Sequence, residues 1–393
     1  MRSPVLTPSA RTAVQSLGAS QIREVANAGF GDTDLLPFWF GEPDEVTSAF
    51  IRDEAAASLA RGETFYTHNF GIPELRQAIA TYVTRLHRPI DSERIAVTAS
   101  GMSALMLTVE ALVAPGDRVV VVTPLWPNLV EIPKILSAHV TCVPLTFSVR
   151  GWTLDLDRLL AALTPDTRAL MINSPNNPTG WTLTSGEQQT ILAHCRKYGI
   201  WIVADDVYER LYYGNAPSAP SFLERTNAED RLVSTNSFSK AWSMTGWRLG
   251  WIVAPKHHVR DLEKLAQNLY ISPPTPSQRA ALACFQPDTL AILEERRQAF
   301  RARRDLLVPA LRELGFRIPV TPDGGFFVYA DCSPFCDDSE RFCRDVLEGA
   351  GVAITPGIDF GRHRANAHVR FAYTIGQAKI EEGIARLARF LGR

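Results

Sequence analysis

Ser237-Phe238-Ser239-Lys240-Ala241-Trp242-Ser243-Met244-Thr245-Gly246-Trp247-Arg248 lies between two apolar runs, Leu232-Val233 before it and Leu249-Gly250-Trp251-Ile252-Val253 after it. The stretch sets a lysine among small hydroxyls, aromatic rings and a glycine, with an arginine at its end. Such a setting reads as an amine kept dry beside an anion site, which is what a Schiff base with a phosphorylated aldehyde requires. A free lysine amine has a pKa of ~10.4 and is a poor nucleophile when protonated, so it needs desolvation or a neighbouring cation to depress it. Arg248 offers phosphate binding and that positive field together. Taken by itself Lys240 reads equally as a solvated surface group, and the surrounding chain decides between the two.

On either side, short apolar strands alternate with helical stretches. Strands are expected at Arg94 to Thr98, Val119 to Val122, Val140 to Val143, Ala169 to Ile172, Trp201 to Ala204, Leu232 to Ser234 and Leu249 to Val253. Helices are expected from Ser100 to about Val113, at Leu154 to Leu163 and at Ser185 to Tyr198. Continuous apolar strands separated by helices predict an α/β fold, with a mostly parallel seven-stranded sheet buried between helices. Beyond Pro273-Pro274 the texture changes to a long charged helix, roughly Asp288 to Leu314, whose mixed acids and arginines read as a solvated face with a kink at Pro309. Strands near Gly325 to Tyr329, Ala353-Ile354 and His368 to Ala372, and a last amphipathic helix carrying Ile380, Ile384, Leu387 and Leu391, complete a smaller α+β domain. The expected division is a large domain over 46–285 and a small one over 1–45 with 286–393. A helix is also expected around Ser20 to Ala28.

With 393 residues, 46% of them hydrophobic, the chain has room for two globular domains. Lys+Arg of 41 against Asp+Glu of 42 leaves no basic field for nucleic acid or an anionic membrane, so small molecules and further copies of the chain are the expected partners. No apolar run has a membrane span's length, and Met1 to Pro8 lacks a signal peptide's apolar core, so a cytoplasmic protein is expected. Six dispersed cysteines read as free thiols, and no metal site is expected.

In an open parallel sheet, ligands collect beyond the carboxyl ends of the strands, and several unusual residues fall there. Ser100-Gly101-Met102-Ser103 opens a helix after a strand, where backbone N–H groups favour phosphate or simply make a turn. Trp126, set between prolines, can offer a flat face to a ring or pack in the interior. Asn173-Ser174-Pro175-Asn176-Asn177-Pro178-Thr179-Gly180 is a dense turn signal after a buried strand, where Asn177 can offer its amide to a phenolate oxygen. Trp201-Ile202-Val203-Ala204 runs into Asp205-Asp206-Val207-Tyr208. A carboxylate ending so apolar a strand is costly unless it meets a cation or donor, such as a protonated pyridine nitrogen.

Together these motifs resemble the class I/II aminotransferases, pyridoxal-phosphate enzymes of fold type I. The set is Tyr66 with Asn69-Phe70-Gly71, Ser100-Gly101-Met102, Trp126, Asn177-Pro178-Thr179-Gly180, Asp205 with Tyr208, Ser237-x-Ser239-Lys240, Arg248 and His368-Val369-Arg370-Phe371. The resemblance extends from Gly41 to Arg370 and implies transfer of an amino group from an amino acid to a 2-oxo acid. By it, Lys240 forms the Schiff base with pyridoxal 5'-phosphate and moves the substrate proton. Asp205 pairs with the ring nitrogen, Asn177 and Tyr208 hold the ring oxygen, and Trp126 stacks on the ring. The backbone of Ser100, Gly101 and Met102, with Ser237, Ser239 and Arg248, binds phosphate, and Tyr66 reaches it from the other subunit of a homodimer. Arg370 clamps the substrate carboxylate, helped by the Gly41 backbone, Trp126 and Asn177.

Two positions depart from the family pattern. Met102 replaces the usual hydroxyl residue of the phosphate turn, leaving backbone binding there. Ahead of Tyr270-Ile271-Ser272-Pro273-Pro274, Gln267 stands where enzymes acting on dicarboxylates by one recurrent scheme carry a second arginine. An uncharged group there points to a neutral or aromatic substrate side chain. A β-eliminating lyase of the same fold and a ligand-sensing regulator are the alternatives, the regulator needing a DNA-binding module that the residues ahead of Gly41 do not suggest.

Overall fold

Val119-Val120-Val121-Val122 has the β-branched character that suits a strand covered on both faces, and it forms the middle of the strand Arg118–Thr123. All four valines are at most 1% exposed, each worth ~1.5–3 kcal/mol relative to an exposed side chain. A computed structural model describes residues 10–18 and 34–393; the helix expected around Ser20 to Ala28 lies outside them.

The strand sits in a seven-stranded sheet ordered Ile95–Thr98, Gly250–Val253, Leu232–Ser237, Trp201–Asp205, Thr167–Asn173, Arg118–Thr123, His139–Pro144. Gly250–Val253 runs antiparallel to both neighbours and every other pairing is parallel. Helices cover the two faces, so the sheet is the α/β layer expected. Local chemistry sets their ends. Ser185–Tyr198 starts at a capping box between Thr184 and Glu187 and stops at Gly199, whose φ of 69° suits a glycine C-cap.

A second sheet, ordered Phe327–Asp331, His368–Ala372, Thr355–Pro356, is antiparallel. The segment Leu36–Pro37 pairs in parallel with Val352–Ala353, which brings the early chain to the late one. Separate apolar clusters underlie the two sheets, one with Ile95, Val120 and Trp251, the other with Phe38, Phe327 and Phe371.

The helix Pro287–Glu313 joins the two clusters, giving Leu293 to the first and Phe300, Leu307 and Leu311 to the second. It continues through Pro309 to Glu313. Its expected solvated face is corrected by the structure: Arg296 and Arg304 are buried, and Arg303 is nearly so. The cause is a set of fixed acceptors. Arg296 Nε donates to Glu45 Oε2 at 2.9 Å, Arg303 Nη1 to the Thr374 carbonyl at 2.9 Å, and Arg304 Nη1 to the Pro322 carbonyl at 2.8 Å. Among the described residues no helix is long and apolar enough to cross a membrane.

Candidate active site

Thr123, Asn173, Asp205 and Ser237 end their parallel strands at one edge of the large sheet, and Gly250 begins its antiparallel strand there. A cavity of about 620 Å3 opens at that edge. Its wall carries Gly41, Gly101, Met102, Trp126, Asn177, Asp205, Tyr208, Ser237, Ser239, Lys240, Arg248 and Arg370, residues drawn from both ends of the chain. Two expected site residues are elsewhere. Tyr66 is 78% exposed and off the cavity wall. Ser100 is buried and also off the wall; its Oγ accepts from Ser103 N at 3.0 Å and caps the helix Gly101–Leu112.

Lys240 reaches the cavity from a short turn of helix, Phe238–Ala241, that Ser237 caps. Its Nζ donates to the Gly41 carbonyl at 2.7 Å. Burial lowers the amine's pKa to about 8, against the pull of Glu42 and with the help of Arg248 and Arg370. The amine is thus available as a neutral base or nucleophile near neutral pH.

Asp205 is 5% exposed, and no lysine, arginine or histidine among the described residues lies within ion-pair distance of it. Burial, then the charge of Asp206, raises its pKa to about 7. Asn173 Nδ2 donates to the Asp205 carbonyl at 3.0 Å and to Oδ2 at 3.3 Å, while Asn173 Oδ1 accepts from Asn177 N at 2.8 Å. Asn173 therefore fixes both the carboxyl and the turn carrying Asn177. Tyr208 is buried, with its hydroxyl close to Asn177 and its pKa pushed up by burial.

Arg370 is 2% exposed on the strand His368–Ala372. Its guanidinium lies 4.5 Å from the ring centre of Phe327 and 4.8 Å from that of Phe360. Nη1 donates to Asn177 Oδ1 at 2.9 Å and Nη2 to the Trp39 carbonyl, while Nε has no hydrogen-bond partner. Burial lowers its pKa to about 10, still far above neutral. A guanidinium on the cavity wall, held by Asn177 and the Trp39 carbonyl between two aromatic rings, is suited to a carboxylate.

Ser237, Ser239 and Arg248 gather at the opposite side of Lys240's turn. Ser237 Oγ donates to Ser239 Oγ at 2.9 Å, and Arg248 Nη1 to the Thr245 carbonyl at 2.6 Å. A side chain on Gly250 would stand 2.6 Å from Gly101 N and 2.7 Å from the Asn236 carbonyl, so glycine there lets the helix start press against the strands. The sequence reading passed over Asn173, Asn236, Phe40 and Glu42, although all four also reach the cavity wall. Asn173 was visible as the first residue of its turn motif; Asn236 had only its place ahead of Ser237.

The family profile of aminotransferases class I and II matches residues 34–387. The aspartate/prephenate aminotransferase of Thermus thermophilus is 34% identical over all of this chain and 98% of its own length. The valine–pyruvate aminotransferase of Mycobacterium tuberculosis is 33% identical over 91% of each protein. The aspartate aminotransferase from Thermus thermophilus with maleate superposes with a TM-score of 0.90 at 32% identity, covering 98% of this chain and 100% of that one. With a matched profile over most of its length and the fold of its relatives, this chain belongs to the class I and II aminotransferases.

Proposed function

We propose that the chain uses pyridoxal phosphate to move an amino group from an L-amino acid to a 2-oxo acid. The observation that carries this reading is the convergence on one cavity of three unusual side chains. They are an amine whose pKa is lowered to about 8 (Lys240), a buried carboxyl with no ion-pair partner among the described residues (Asp205) and a buried guanidinium fixed by Asn177 (Arg370). Each fits a different part of the pair to be bound: the aldehyde carbon, a protonated ring nitrogen, and the substrate carboxylate. The hydroxyls of Ser237 and Ser239, the Arg248 guanidinium and the start of the helix Gly101–Leu112 suit a phosphate.

When bound, the cofactor supplies an aldehyde for amine exchange and a ring that accepts electrons from the substrate Cα. The residues then divide the work. Asn173 holds Asp205, whose carboxyl would pair with the ring nitrogen. Tyr208 and Asn177 would hold the ring oxygen, and Trp126 would pack against the ring. Arg370, braced by Asn177 and the rings of Phe327 and Phe360, grips the α-carboxylate and orients the Cα–H bond. Lys240 Nζ takes the Cα proton and later returns it.

The three cations on the wall, Lys240, Arg248 and Arg370, are all committed in this scheme, and among the described residues the wall offers no further cation to a side-chain carboxylate. This supports a neutral or aromatic substrate, in keeping with Gln267. Phe65, Tyr66, Leu269 and Ile271 are exposed and tied together through Asn69 Nδ2 to the Ile271 carbonyl at 2.6 Å. That apolar face supports a homodimer in which Tyr66 serves the partner's phosphate site. Six free thiols support a reducing, cytoplasmic setting. The named relatives are transaminases, which disfavours the β-eliminating alternative.

The test is to mix cofactor-loaded protein with single L-amino acids, without oxo acid, and follow its visible absorbance. Stoichiometric conversion with release of the matching 2-oxo acid is expected, fastest for neutral or aromatic amino acids. Pyruvate with ammonia from a β-substituted amino acid would establish the lyase instead, and no change with any amino acid overturns the reading.

A further inference from the structure

Behind the anion end of the cavity lies a buried cluster with no part in the chemistry above. His87 follows the helix Pro73–Leu86, and its side chain is 1% exposed. Its Nε2 stands 2.8 Å from Glu209 Oε2 and its Nδ1 3.3 Å from Glu224 Oε1. A carboxylate only accepts, so a ring that bonds both must donate from both nitrogens, which makes it the imidazolium. Burial opposes that charge, and the two carboxylates overcome it, raising the histidine pKa to about 10. Asp206, bonded by Ser234 Oγ at 2.6 Å, is a third acidic group facing the same cation.

The second oxygen of Glu209 leads to the cavity. Glu209 Oε1 accepts from Asn236 Nδ2 at 2.7 Å, and Asn236 Oδ1 accepts from Ser237 N at 2.8 Å. The chemistry of the carboxylate fixes which way the amide faces: with Glu209 ionised, only Nδ2 can meet it, so Oδ1 must meet the Ser237 N–H. That bond seats the Ser237 backbone, and Ser237 Oγ in turn accepts from Ser239 N at 3.1 Å. Both Asn236 and Ser237 are on the cavity wall. Without His87, Glu209 Oε2 loses its partner at 2.8 Å, and the carboxylate is no longer held in place against Asn236. The Asn236 amide is then free to turn, which sets two donors, Asn236 Nδ2 and Ser237 N, against each other.

We propose that His87 is a positioning residue for the phosphate of the cofactor, acting through Glu209 and Asn236 on the seat of Ser237. The proposal rests on the cofactor reading given above, and its test separates the two. The full-length chain, freed of bound aldehyde, is titrated with pyridoxal phosphate and with pyridoxal, which lacks only the phosphate. His87→Leu is expected to weaken the first by about tenfold or more, the scale of an unsatisfied buried donor, and the second by less than about twofold. His87→Leu with Glu209→Gln is expected to recover phosphate affinity, because an uncharged glutamine needs no cation and its carbonyl still accepts from Asn236. Where His87→Leu does not fold, Asn236→Ala cuts the last link, leaves the ion pair whole and is expected to show the same selective loss. Equal loss for both aldehydes, unchanged phosphate affinity, or no recovery in the double variant overturns the proposal alone. Wild-type protein that binds neither aldehyde overturns the cofactor reading and this proposal with it.

Discussion

Lys240 illustrates how far one residue's chemistry can be traced. Its neighbours in sequence already described a dry, cation-flanked amine, and the structure adds the Gly41 carbonyl as the acceptor that holds Nζ at 2.7 Å. Lys240→Ala removes the base and nucleophile but leaves Asp205, Arg248 and the serines in place. The variant is expected to retain cofactor non-covalently, so that borohydride no longer fixes it to the chain, while amino-group exchange falls by ~10²–10⁴-fold or more. Ser100 shows what side-chain type alone does not reveal. At φ 147° and ψ 168° it occupies backbone space that is almost reserved for glycine, at a cost of ~1–3 kcal/mol, next to the phosphate turn. As a cap, serine exceeds glycine by only a few tenths of a kcal/mol and alanine by ~1 kcal/mol. Ser100→Gly is therefore expected to raise the unfolding free energy by ~1 kcal/mol and Ser100→Ala to lower it by about as much, measured by urea denaturation. No gain on glycine substitution would show that the backbone there carries no strain.

At the scale of elements, boundaries were legible where the sequence contains its own stop signals. Thr184 with Glu187 and Gly199 delimit the helix Ser185–Tyr198, and the strand His368–Ala372 follows its apolar alternation. The helix Pro287–Glu313 was read correctly as a helix and wrongly as a solvated one, because a count of mixed charges does not say where each lies. Its spacing does: Thr289, Leu293, Arg296, Phe300, Arg304, Leu307 and Leu311 are buried and recur every three or four residues, with Val308 buried beside them. Two arginines thus stand in an apolar stripe because acceptors from distant segments await them, and those acceptors are invisible to local periodicity. Arg296 bridges Glu45, Ser48 and the Ala241 carbonyl, tying the segment after Gly41 to the turn that bears Lys240. Arg296→Ala is expected to cost ~2–4 kcal/mol in urea unfolding and to raise KM, since the residual carboxylate and carbonyl lose their partner. Arg301→Ala, on the same helix but 48% exposed, is expected to change stability by less than ~0.5 kcal/mol. Equal effects would mean that burial of Arg296 carries no energetic weight.

Across the whole molecule, the cavity wall takes Tyr208 from the apolar cluster under the small sheet and Leu105 from the cluster that holds Val119 and Val121, and the residues that line it come from segments as distant as Gly41 and Arg370. Asp205 and Lys240 were readable because each breaks a local rule, a carboxyl ending an apolar strand and an amine in a dry turn, whereas Arg370 by itself reads as a surface arginine and was assigned through the family resemblance. The polar groups that support them were not, because His87, Glu209 and Glu224 are unremarkable until the helix Pro73–Leu86 is laid against the loops that follow Asp205. Their arrangement makes the stability of the chain depend on pH in a definite sense. The folded protein raises the His87 pKa from 6.5 to about 10, so below about 6.5 both folded and unfolded chains hold the proton and the ion pairs contribute in full. Between about 6.5 and 10 the folded chain binds a proton that the unfolded chain has released, and the contribution declines with rising pH until it is lost beyond the folded pKa. The difference in unfolding free energy between wild type and His87→Leu, measured by urea denaturation at several pH values, is thus expected to be largest near pH 6 and to shrink steadily toward pH 10. A difference that stays constant across that range would show that His87 acts by packing and not as a buried cation, and would remove the charge on which its hold over Glu209 depends.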